Sequence, residues 1–207
     1  MRRPLAAALA VLAAGVVAGA APRRAAAFGH LWEITELYSN ADGSVQFIEL
    51  FSEAPAETLV TGTFLRSQAN NLRFDFPTDL TGSTLNRTLL VATAAFASQP
   101  GAVAPDFVMP DGFIRTSGDT IGFWSDGSYL TPPFRQNFLL FDTPLPLDGI
   151  LALVRDHDST EIGTAVNSPT NFAGQSGSLV PEPGSAALLA AGLAGLAFTS
   201  RRARSRP

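Results

Sequence analysis

Between residues 28 and 180, apolar and polar positions tend to alternate. Leu72, Phe74 and Phe76 take every second place around Arg73 and Asp75. A two-residue period puts the apolar side chains on one face of an extended chain. Val45-Gln46-Phe47-Ile48-Glu49-Leu50-Phe51 reads as a strand with Val45, Phe47 and Phe51 on one face, interrupted there by Glu49. Further strands are predicted at Leu31–Tyr38, Leu59–Arg66, Thr88–Ala92, Phe107–Met109, Thr120–Trp124, Phe138–Phe141 and Ile150–Arg155. Turn formers separate them: Asn40-Ala41-Asp42-Gly43, Pro110-Asp111-Gly112, Ser125-Asp126-Gly127 and Asp148-Gly149. Only Ala92–Ser98 has the pattern for more than one turn of helix. About nine short strands with frequent turns predict an all-β chain folded as a β-sandwich over residues 28–166. No fixed-period repeat is visible, which argues against a propeller or solenoid. The stretch 167–179 is polar and rich in Gly, Ser and Asn, and either closes the domain or links it to the C-terminal segment.

The two ends carry a different pattern. Arg2 and Arg3 precede an uncharged Ala/Val/Leu/Gly run, Leu5–Ala21, with small-residue cleavage patterns at Ala18-Gly19-Ala20 and Ala25-Ala26-Ala27. Residues 1–27 therefore read as a secretory signal peptide, with cleavage expected after Ala27. At the other end, Val180-Pro181-Glu182-Pro183-Gly184 is followed by an apolar run, Ser185–Ser200, and then by Arg201-Arg202-Ala203-Arg204-Ser205-Arg206. Two prolines favour an extended, accessible backbone. The run sits at the bottom of the bilayer-spanning range. The Arg cluster holds the far end in the cytoplasm. A span this short suits transient retention at the inner membrane.

These three parts, in this order over residues 180–207, resemble the PEP-CTERM sorting signal of Gram-negative bacteria. Val180, Pro181, Glu182 and Pro183 stand where the motif lies. The resemblance implies that an exosortase, a membrane protease-transpeptidase, processes the tail. It also implies delivery to the cell surface or the exopolysaccharide matrix. The opening stretch Ile34-Thr35-Glu36-Leu37-Tyr38-Ser39-Asn40, followed by Phe47-Ile48-Glu49-Leu50, is similar to the start of lamin-tail-type domains. That resemblance implies an immunoglobulin-like sandwich and brings no catalytic residues with it.

Composition narrows the chemistry. The 207 residues include no Cys and two His, His30 and His157. Disulfide scaffolds, thiolate zinc sites and cysteine nucleophiles are thereby excluded, and a multi-histidine metal site is disfavoured. Fifteen Phe in the chain mark an apolar core rather than disorder. Residues 28–180 hold six Arg against 17 carboxylates, a balance of −11 beneath the overall −4. So acidic a domain repels phosphate backbones, and no nucleic-acid partner is expected.

Several groups invite a functional reading. Asp156-His157-Asp158 could hold a divalent cation or supply a base, although a solvated loop after the preceding strand is the simpler account. Glu161 stands where an EF-hand would need Gly, so no complete calcium loop is present. Ser176 lacks a nucleophile elbow, because Gly174-Gln175-Ser176-Gly177-Ser178 ends in Ser. Glu33, Glu36, Glu49 and Glu53 lie on neighbouring strands, and Glu36 could pair with Glu49 across a hairpin as a calcium ligand or acid–base pair. The plainer account is that these carboxylates face solvent or cap turns. Trp32 and Trp124 could stack on sugars, with core packing preferred. Asn86-Arg87-Thr88 fits a glycosylation sequon but carries no weight in a bacterial protein.

The expectation is thus an exported, non-enzymatic surface or matrix protein without cofactor or metal. Its expected partners are exosortase, the inner membrane through the C-terminal segment, and exopolysaccharide or other surface proteins. The alternative is a secreted hydrolase using its carboxylates.

Overall fold

The computed structural model describes residues 31–125, 138–141, 143–157 and 159–179. The signal segment 1–27, Asp158 and the sorting segment 180–207 lie outside the described residues.

The fold is all-β, with two sheets and a single 3₁₀ turn at Phe96–Ser98 among the described residues. The strands are β1 (Glu33–Ser39), β2 (Gln46–Ser52), β3 (Thr63–Ser67), β4 (Leu72–Asp75) and β5 (Arg87–Thr93). They continue as β6 (Phe107–Met109), β7 (Asp119–Ser125), β8 (Phe138–Phe141), β9 (Leu151–Val154) and β10 (Gly163–Val166). One sheet has six strands in the order β10-β9-β1-β2-β5-β6, and the other has four in the order β4-β3-β7-β8. All pairings are antiparallel except β5 with β6.

The main core lies between the sheets. Ile34, Leu37, Ile48, Leu50, Leu89 and Val91 of the larger sheet meet Leu65, Phe74, Ile121 and Phe123 of the smaller. Trp32 is fully buried in this layer, and its indole N–H donates to the Glu57 carbonyl at 2.9 Å. Trp32 is thus a core residue with its one polar atom satisfied. Phe76 packs edge-to-face against Phe74, Phe107 and Phe123. This cluster is where much of the Phe-rich composition is spent.

The larger sheet is also buried on its other face. Tyr38, Phe47, Leu90, Ala92 and Ala152 form a second apolar layer, covered by Phe96 and Leu179. Tyr38 and Phe47 are registered partners, and their rings stack with centroids 5.3 Å apart.

A β-bulge sets which residues reach this second face. Ile34 pairs with Leu50 and Glu36 pairs with Glu49, so Thr35 is the extra residue in β1. Without it, Ile34 and Glu36 would share a face, because side chains alternate along a strand. With it, Ile34 turns into the main core while Glu36 and Tyr38 turn outward. The carbonyl of Ile34 accepts from Nε (3.1 Å) and Nη2 (2.7 Å) of Arg155, and the carbonyl of Thr35 accepts from the Arg155 amide (2.8 Å). A buried guanidinium thereby holds the backbone at the irregularity.

β10 has no counterpart in the alternating pattern. Gly163, Thr164, Ala165 and Val166 are all exposed, so this edge strand buries no face and leaves no periodic signal.

Candidate functional site

Segment 167–179 crosses the outer face of the six-stranded sheet. It contains no charged residue, yet it is pinned by three carboxylates. The Ser168 amide donates to Glu36 Oε1 and its hydroxyl to Glu36 Oε2, both at 2.9 Å. The Thr170 amide donates to Glu49 Oε2 at 2.7 Å. The Phe172 amide donates to Asp106 Oδ2 at 2.9 Å. Every second N–H from Ser168 to Phe172 is thus aimed at the sheet, as in an edge strand. The acceptors are side-chain carboxylates in place of the carbonyls of a neighbouring strand.

Farther along, Asn171 holds the segment to the loop before β6 through a bond from Nδ2 to the Ala104 carbonyl. Gly174 turns the chain, and the Ser178 amide donates to the Gly101 carbonyl at 3.1 Å. The two backbones cross so closely here that a Cβ on Gly101 would collide with the Ser178 carbonyl, and one on Gly177 with the Gly101 carbonyl. Asn167 then closes the segment. Its Nδ2 donates to the carbonyls of Ile150 (2.7 Å) and Leu179 (3.0 Å), and its Oδ1 accepts from the Leu179 amide (2.5 Å). One side chain therefore clamps both backbone groups of Leu179, whose own side chain is buried in the second apolar layer.

The carboxylates beneath the segment differ from the solvent-facing or turn-capping role expected for them. Glu36 and Glu49 are 3% and 8% exposed. Burial raises the Glu36 carboxyl above its usual range, against the lowering effect of the two Ser168 bonds. The Glu49 carboxyl is pushed up to about 8 by burial and by the neighbouring Glu36 charge. Two like charges brought together in a desolvated layer cannot both ionise cheaply. Glu36, with two donors from Ser168, is the better place for the charge. Glu49, with one short bond and a 3.4 Å contact from the Thr35 hydroxyl, is the better place for the proton. Burial also raises Asp106.

Glu33 and Glu53 belong elsewhere. With Leu31, Phe51, Ala54 and His157 they line an open cleft of about 240 Å³. His157 Nε2 lies 3.5 Å from Glu53 Oε1, and its ring lies over Phe51 with centroids 4.9 Å apart. Among the described residues, no three His, Asp or Glu side chains converge as a metal site. Ser176 pairs its hydroxyl with that of Thr170 at 3.0 Å. A second open cleft, about 380 Å³, lies on the outer face of the smaller sheet, lined by Phe64, Arg66, Gln68 and Trp124. Trp124 is half-buried there, and the Arg73 guanidinium sits 3.7 Å above the Phe64 ring.

The described chain ends at Leu179, clamped to the domain. The family model of the PEP-CTERM protein-sorting motif matches residues 179–202, so its match begins at the clamped residue. The chain carries a PEP-CTERM sorting signal. That signal marks it for export, passage through the membrane and processing by exosortase on the way to the cell surface. Val180, Pro181, Glu182 and Pro183 fall inside the matched stretch. Searches of curated proteins and of solved structures return no match.

What sequence reasoning missed is the attachment of 167–179. Ser168 and Thr170 are small polar residues in a polar run, and their partners lie 132 and 121 positions away. The alternation Ser168, Thr170, Phe172 was the one available hint of an extended strand-like path.

Proposed function

We propose that this PEP-CTERM protein is a non-enzymatic structural and binding module displayed at the cell surface or in the exopolysaccharide matrix. The observation that carries this reading is the placement of the sorting signal. The clamped residue Leu179, packed against the domain, is the first residue of the matched motif, so the folded unit is presented whole and the tail alone is left for the membrane and exosortase. Two further features support a role without catalysis. With segment 167–179 in place, the carboxyl pair that could serve as acid and base is covered by Ser168 and Thr170, which keep substrate from it while one of the two holds a proton to give. His157, the one histidine among the described residues, lies tilted against the Phe51 ring beside a surface glutamate.

The binding partner that fits best is polysaccharide. The cleft of Phe64, Arg66, Gln68 and Trp124 sets an aromatic ring beside a guanidinium and an amide, a pairing that suits the apolar faces and hydroxyls of sugar rings. We further infer that the two-layer sandwich is of the immunoglobulin-like, lamin-tail-related kind, on the strength of the Ile34–Asn40 and Phe47–Leu50 stretches that form its first hairpin.

Cell fractionation tests the reading. In a host carrying an exosortase, the full chain is expected in surface and matrix extracts, and a chain lacking residues 184–207 in the soluble medium. Equal partition of the two forms would overturn it. Trp124→Ala is expected to keep surface delivery and to weaken retention by purified exopolysaccharide several-fold.

A further inference from the structure

The three-carboxylate attachment of 167–179 joins a titratable layer directly to the sorting signal. Glu36 and Glu49 lie side by side on β1 and β2, between Val154 of β9 and Leu90 of β5 as their outer neighbours in register. Neither neighbour carries charge. The segment above them brings only amides and hydroxyls, and Asp106 adds a third acidic group at the β6 end. Of the cations bordering this layer among the described residues, Arg155 donates to the Ile34 carbonyl, and Arg87 Nη1 lies beside Gly174 of the segment, 3.3 Å from where a Cβ there would stand. Glu53, which follows β2, and His157, which follows β9, lie together beside Phe51, and Glu33 sits opposite Phe51.

We propose that residues 167–179 are a releasable strap, docked while Glu36 and Glu49 share one proton and freed when both are ionised, so that protonation sets how far the sorting signal stands from the folded domain. This rests on the sorting reading above and adds a control to it. Docked, the strap brings Leu179 into the second apolar layer, and the matched sorting motif begins at that held residue. Released, Asn167–Leu179 adds 13 residues, or about 40 Å of extended chain. A protease groove takes its substrate as several extended residues, and a domain held against the motif obstructs that approach. Release removes the obstruction without unfolding the sandwich. Phe172 is the strap residue that packs against the main core between the sheets, as a partly buried side chain at its margin, while the carboxylates that hold the strap are not members of that core.

The sign follows from the raised carboxyls. The docked state holds a proton that the released state gives up, so release grows more favourable as pH rises from about 4.5 towards about 8. With one proton linked, the opening equilibrium changes about tenfold per pH unit within that window.

The test is hydrogen–deuterium exchange by mass spectrometry on the full chain in detergent micelles, at pH 6, 7 and 8, with exchange times scaled for the intrinsic pH dependence of amide exchange. Protection of the 167–179 peptide is expected to fall about tenfold per unit, while peptides from β2 and β5 keep theirs. Glu49→Gln leaves an oxygen for the Thr170 amide and puts an amide in place of the carboxyl proton, and its strap is expected to stay protected at pH 8. Constant strap protection in the wild type across this range would overturn the proposal, whether or not Glu49→Gln folds. In an exosortase host, Glu49→Gln should be processed several-fold more slowly than wild type. Equal processing of the two would overturn the strap's control while leaving the sorting reading intact. Absence of processing in wild type, together with pH-dependent protection, would overturn the sorting reading and leave the strap standing.

Discussion

Glu36 and Glu49 are direct partners across the β1–β2 pair, and both side chains stand on the sheet face turned away from the main core. Like charges placed opposite each other in a sheet are destabilising even in water. Here both are buried, and the layer tolerates them because one carries a proton and the other is capped by Ser168. The bulge at Thr35 creates the relationship, since regular alternation would have turned Glu36 to the face occupied by Ile34.

Stability should therefore depend on pH through this pair. A carboxyl whose folded pKa lies above its unfolded value of 4.5 binds its proton more tightly when folded. The stabilisation is full below about pH 4.5, is lost as pH climbs to about 8, and is flat beyond. Thermal melts followed by circular dichroism should show the wild type less stable at pH 8 than at pH 5. Glu49→Gln should be more stable than wild type at pH 8 by about 1–3 kcal/mol and close to it at pH 5. A Glu49→Gln variant destabilised equally at both pH values would contradict the shared proton.

Gly101 is where the strap passes over the loop before β6. Its φ is +80°, a conformation that L side chains avoid, and a Cβ would also strike the Ser178 carbonyl. Gly101→Ala should cost about 2 kcal/mol or more and should detach residues 174–179. Gly82→Ala is the control. Gly82 has φ +101° but nothing within 4 Å of the added Cβ, so only the backbone strain, about 1 kcal/mol, is expected. Chemical denaturation of the two variants measures the difference.

Asn167 bonds both backbone groups of Leu179 and the Ile150 carbonyl. Asn167→Ala takes a side-chain partner from three backbone groups in a buried place, at about 1–3 kcal/mol. Loss of exchange protection should be confined to the strap and the start of β9. Loss spread evenly over both sheets would mean that the clamp is part of the global core.

The strands were legible because most bury one face and show it. Leu72, Phe74 and Phe76 are the clearest case, and Phe74 and Phe76 fill the core as their spacing requires. Phe47 and Tyr38 were legible as strand residues, but their burial depends on a cover supplied by Phe96 and Leu179, which no local pattern announces. The pairing of Glu36 with Glu49 could be anticipated from the hairpin. Their burial could not, since it arises from a polar segment more than a hundred residues away. β10 was silent because an exposed edge strand has no apolar face. The sorting signal was the most legible feature of the chain, because membranes and proteases read it as linear sequence.

Intact mass of the surface-associated protein tests the central claim most directly. In a host carrying an exosortase, that form should begin near residue 28 and end within or shortly after Val180–Pro183, without Arg201–Pro207, while a longer precursor remains with the inner membrane. A surface form that retains Arg201–Pro207 in full would contradict sorting by exosortase and make the C-terminal segment a permanent anchor.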